Sequence, residues 1–181
     1  MSCKPSEVCL ISREADVYYA RSLVRSVAQA AGASVRERAE LEIVASELAW
    51  NILRHVGTGT LEVESWQESS GLPCLCIRVR DPGAPLDLPS VVQDGWSGNG
   101  PLTPEERVGR KGLGCGLGAV ARLADDLEQR IIPGGKELVA TRVLRDERRR
   151  LGRPVESSTR RGAVDAADVP PRIDPDNTGR R

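Results

Sequence analysis

Residues 34–57, SVRERAELEIVASELAWNILRHVG, decide how this chain folds. Ser34 and Glu37 stand in the spacing of a capping box, so a helix starts here. Leu41, Val44, Leu48, Ile52 and Val56 then recur at helical spacing and make one apolar stripe, which Gly57 ends. Such a helix needs a sheet or another helix to cover that stripe. Within it, Glu47 and Asn51 are four residues apart and project from one side, beside the stripe rather than opposite it. A carboxylate and an amide so mounted can serve as a general base and a magnesium ligand. Taken alone, they equally describe an exposed helix face with an incidental hydrogen bond.

Outward from this helix the pattern is mixed. Glu7–Ser12 reads as a short strand, and Glu14–Ala31 as a helix with Val17, Ala20, Val24, Val27 and Ala31 at helical spacing and Gly32 just past its end. Leu61–Trp66 and Cys74–Arg80 read as strands, the second alternating Leu75, Ile77 and Val79. A short helix is expected around Pro89–Asp94 and a longer one over Leu117–Leu127. Gln129–Ile132 and Glu137–Leu144 flank Pro133-Gly134-Gly135, a hairpin signal. These elements predict an α/β two-layer sandwich, a mixed and mostly antiparallel sheet covered on one face by helices.

Two further stretches suit a nucleotide. Asp81-Pro-Gly83 follows directly on a strand, where an acid can accept from an adenine amino group and a glycine lets a flat base approach. The same three residues also suit a plain turn. Gly112, Gly114, Gly116 and Gly118 alternate into a helix, and bare backbone N–H groups at a helix N-terminus cradle phosphate. A flexible hinge is the other reading of that run. It follows a loop instead of a strand and lacks a terminal Gly-Lys-Ser/Thr, so neither the Rossmann nor the P-loop pattern applies.

Composition sets the remaining bounds. Lys+Arg and Asp+Glu are 26 each, which gives no bulk charge for nucleic acid or membrane binding. Phe is absent, so the core must come from Leu, Val, Ile and Ala. Five cysteines without a framework point to reduced thiols and a cytoplasmic setting. Cys74 and Cys76 share a strand face, but with His55 the one histidine they do not make a zinc site. No apolar run reaches membrane-spanning length, and the N-terminus lacks the layout of a secretory signal. Residues 6–145 read as one domain, and 146–181 as an Arg/Pro-rich tail too poor in apolar residues to order itself.

The order of these motifs resembles the GHKL (Bergerat-fold) ATPases, and within them the small bacterial switch kinases of the RsbT and RsbW type. The strings that carry the resemblance are ASELAWNILRH at 45–55, RVRDPG at 78–83, QDGWS at 93–97, KGLGCGLGAVARL at 111–123 and ATRV at 140–143. DVYYAR at 16–21 adds to it. The resemblance implies ATP and Mg²⁺ as ligands, Glu47 as general base and Asn51 as metal ligand. It implies Asp81 holding adenine with Gly83 making room, Gly112, Gly114, Gly116 and Gly118 facing phosphate, and Thr141 near the adenine. Arg21 stands where related kinases grip a protein partner. The implied activity is serine/threonine phosphorylation of a STAS-domain partner in a partner-switching system. The alternative is an ATP-binding module that captures a sigma factor or switches on a phosphatase; a homodimer stays open. Two departures stand out: Pro85 replaces the last glycine of Asp-x-Gly-x-Gly, and about ten residues near Asn99–Arg110 lengthen the lid.

Overall fold

A computed structural model describes residues 6–92, 96–97, 100–101 and 116–145. Its strands are β1 (Glu7–Ile11), β2 (Gly59–Gln67), β3 (Pro73–Asp81), β4 (Trp96–Ser97), β5 (Gly100–Pro101), β6 (Asp126–Ile132) and β7 (Gly135–Val143). The helices are α1 (Glu14–Ala30), α2 (Val35–His55), α3 (Leu88–Val91) and α4 (Gly116–Leu123). Five strands form one sheet in the order β1-β2-β3-β7-β6, and every neighbouring pair is antiparallel. The mixed sheet expected from sequence is therefore wholly antiparallel among the described strands. β4 and β5 pair separately.

Helix α2 begins as its capping box dictates. Ser34 Oγ accepts from the Glu37 N–H at 3.2 Å, and the Glu37 carboxylate accepts from the Ser34 N–H at 2.8 Å. Its stripe of Leu41, Val44, Leu48 and Ile52 enters the core with Leu61 and Val63 of β2 and Leu75, Ile77 and Val79 of β3. Helix α1 packs beside α2 through Val17, Ala20, Val24 and Ala28, and Gly32 after it takes φ 84°, a backbone a larger residue resists. The core is Leu, Val, Ile and Ala with one cysteine, as the absence of Phe requires. Each large side chain fully buried there contributes roughly 1.5–3 kcal/mol.

The expected helix over Leu117–Leu127 stops at Leu123, and Leu127 lies in β6. The Asp125 N–H donates to the Thr141 carbonyl at 2.8 Å, and Asp125 Oδ2 accepts from the Val143 N–H at 2.8 Å. These bonds to β7 pull the chain out of the helix and into the edge strand. The long Gly/Pro-rich stretch is described only at Ser97, Gly100 and Pro101. Most of the lengthened lid near 99–110, and the whole tail at 146–181, lie outside the described residues.

The sheet face away from the helices carries Cys74 and Cys76. Cys74 sits in register between Trp66 and Val143, Cys76 between Glu64 and Thr141. Burial pushes the Cys74 thiol up to about 12, and the Glu68 carboxylate adds to the shift. Burial also raises Cys76 and Cys9. A thiol reacts as its thiolate. Iodoacetamide at pH 8 should therefore leave Cys74 unmodified in the folded protein and modify it quickly in urea. Peptide mass spectrometry would detect it; rapid labelling of the folded chain at Cys74 would contradict the burial.

Candidate active site

The two flanks of α2 have separate duties. On one, Glu42 faces α1, with Arg25 Nε at 2.6 Å and Arg21 Nη2 at 3.4 Å. On the other, Glu40, Glu47 and Asn51 follow one another at seven and four residues. Glu47 is only 2% exposed, while Asn51 keeps partial access to solvent. An exposed, solvated face is thereby excluded for Glu47. A buried carboxylate on a helix locked by core packing is a rigid mount for a reacting group.

Helix α4 packs against α2 through Leu117 and Val120. Arg142 of β7 joins the end of α4 to α2: it donates to the Leu123 carbonyl and, at 2.6 Å, to Glu40 Oε2. The C-terminal end of α4 is thus held beside Glu40, and its eight residues make it about 12 Å long. Gly116 opens the helix at φ 52°, and Gly118 is buried in its first turn. The first N–H groups of a helix lack partners within it, and they carry the positive end of its dipole. Gly112 and Gly114 lie outside the described residues.

At the C-terminal end of α2, strand β3 delivers Asp81. Its Oδ1 accepts from the Gly83 N–H at 2.8 Å and from Lys136 Nζ at 2.7 Å, and the carboxylate is 1% exposed. Gly83 is needed for this packing. A Cβ there would meet Lys136 Nζ at 2.6 Å, Asp81 Oδ1 at 2.8 Å and Val56 Cγ2 at 2.8 Å. The room expected beside a flat base is thus taken up by the protein's own charged pair and by the end of α2. After Pro85, Leu86 is pinned by both ends of the Gln129 amide, at 2.8 and 3.0 Å, which fixes the loop without the family's last glycine.

Thr141 is not where the resemblance implied. Asp81 pairs in register with Lys136, and Thr141 pairs with Cys76. Five residues of strand separate Lys136 from Thr141, about 17 Å, and the odd offset turns Thr141 to the face away from the helices. The residue beside Asp81 is Lys136, which sequence reading passed over. The signal that could have found it is the hairpin: with its turn at Pro133-Gly134, the first residues of β7 must lie beside the end of β3. Arg21 is half-exposed on α1 and tied to Glu42.

For an adenine amino group the acceptor is the Asp81 carboxylate; for a hard cation the ligand is the Asn51 amide oxygen; for phosphate the donors are the N–H groups that open α4. These residue types fit a magnesium nucleotide. The histidine kinase-like ATPase domain matches residues 10–142. The chain is 35% identical over 138 residues to the serine/threonine-protein kinase RsbT of Bacillus subtilis, covering 75% of this chain and 94% of that protein. A similar fold occurs in the RsbU and RsbW domains of Rv1364c from Mycobacterium tuberculosis, with a TM-score of 0.51 at 17% identity. That match covers 78% of this chain and 33% of the other, so the chain spans about a third of its length. Motifs, sheet order and these similarities converge: the chain belongs to the histidine kinase-like (GHKL) ATPase domain family.

Proposed function

We propose that this chain is an ATP-dependent serine/threonine protein kinase that phosphorylates a STAS-domain partner. The observation that carries the reading is the buried Glu47 carboxylate one helical turn before Asn51, on a helix against which α4 packs. The kinase activity of the Bacillus relative supports it.

In this reading Glu47 accepts the proton of the acceptor hydroxyl as its oxygen bonds to the γ-phosphorus. The bond from that phosphorus to the bridging oxygen breaks, and ADP leaves with the electron pair. The N–H groups opening α4 stabilise charge on the transferring group. Asn51 would hold Mg²⁺, which when bound neutralises phosphate charge. Asp81 anchors the adenine amino group, and Arg21 of α1, beside Glu42 on the far flank of α2, grips the partner.

Radiolabelled ATP, incubated with the full chain and STAS-domain proteins encoded beside its gene, tests the proposal. Label should pass to a serine or threonine of one of them, and EDTA should abolish the transfer. If nucleotide binds but no partner is labelled, the kinase reading gives way to an ATP-dependent binding module.

A further inference from the structure

Between α3, α4 and the start of β6 lies a groove of about 360 Å³. Leu88 and Val92 at the two ends of α3, Ala121 of α4 and Leu127 of β6 give it an apolar lining. Ala121 is exposed, and the other three are only half-buried. Asp125 and Asp126, which lead from α4 into β6, line it as well, and both are exposed. Among the described lining residues these two carry the only charge, so the groove is apolar and acidic.

The chain itself returns to this place. After β7, Arg145 is the last described residue, exposed, with its Nη1 2.8 Å from Asp125 Oδ1. Residues 148–151, Arg-Arg-Arg-Leu, follow three to six positions on. An extended chain covers about 3.3–3.6 Å per residue, so Leu151 can stand up to about 20 Å beyond Arg145. Three guanidinium groups ahead of a leucine are the complement of a carboxylate pair beside an apolar cleft. The tail is too poor in apolar residues to order itself, and the groove supplies the apolar surface and the opposite charge that it lacks.

We propose that residues 148–151 dock in this groove on their own domain, the arginines toward Asp125 and Asp126 and Leu151 among Leu88, Val92 and Leu127. Arg145 on Asp125 is the first of these contacts. The docked segment straps α3 to α4 and β6, the elements that precede and follow the Gly/Pro-rich stretch in sequence. The inference stands apart from the kinase reading, since it needs neither nucleotide nor partner.

Limited trypsin digestion of the full chain tests it, with the bond after Arg150 followed by mass spectrometry. A synthetic peptide of residues 144–159 gives the rate for the same sequence undocked. In the full chain that bond should be cut about 10-fold more slowly, the ratio for a segment docked about nine-tenths of the time. Raising salt to about 0.5 M should narrow the difference, because exposed ion pairs are screened. Ala121→Lys, which sets a cation in the groove at an exposed position, should bring cleavage to the peptide rate. Equal rates for the wild-type chain and the peptide would overturn the docking and leave the groove to the lid residues or to another protein. Slow cleavage unchanged in Ala121→Lys would put the segment elsewhere on the domain, which overturns the assignment to this groove. Slowing that grows with protein concentration would seat the segment on a second copy and overturn the intramolecular contact. The wild-type comparison needs no variant, so it decides the matter whether or not Ala121→Lys folds.

Discussion

Glu47→Gln should bind ATP with nearly wild-type affinity and transfer its phosphoryl group about 10²–10⁴-fold more slowly, the usual span for loss of a general base. Gln matches the size of Glu and keeps a side-chain carbonyl, so the packing of a residue only 2% exposed is preserved. What it loses is the group that accepts the proton. Asn51→Ala should behave differently, weakening Mg-ATP binding itself because a hard cation loses an oxygen ligand. Single-turnover transfer and calorimetry, run on the same preparations, separate the two. Transfer by Glu47→Gln at the wild-type rate would remove this carboxylate from the mechanism.

The second large effect is on stability. Asp81→Asn should destabilise the fold by about 3–5 kcal/mol, the usual range when one partner of a buried ion pair is removed. The cause is Lys136, whose side chain is 3% exposed and whose ammonium pairs with Asp81 at 2.7 Å. Gly83 would also lose a charged acceptor for its N–H. Adding Lys136→Met should restore much of the loss, because the unpaired charge is gone and an apolar chain fills the space. ATP binding should stay weak in the double variant, since the carboxylate for the adenine amino group is still missing. Urea unfolding of the two single variants and the double variant forms the cycle. An Asp81→Asn protein as stable as the wild type would show that the pair does not hold this corner together.

These two predictions draw on different kinds of information. That Glu47 and Asn51 share one helix flank was legible in the sequence, because helical period and capping are local properties. Ser34, Glu37 and the Leu41-to-Ile52 stripe fix that helix whatever surrounds it. The alternation in β3 was equally legible, since the side-chain period of a strand is two. The boundary of α4 was not. Leu117–Leu127 has the apolar spacing of a helix, but the bonds of Asp125 to Thr141 and Val143 come from a strand sixteen to eighteen residues away.

By itself, then, the sequence determined the main elements of the sheet and the two long helices, their apolar faces, and the family to which their order belongs. Tertiary structure alone decided which residue meets Asp81. Strand register is a long-range property: Lys136 is 55 residues from Asp81, and pairing brings their side chains to 2.7 Å. A short motif such as ATRV at 140–143 carries no register, so it could suggest a threonine near adenine without placing one there. An odd number of strand residues from the pairing point turns a side chain to the other face, and five residues carry it about 17 Å along. That is why Thr141 lies with Cys76 on the far side of the sheet, and why a lysine beyond a hairpin completes the charged pair.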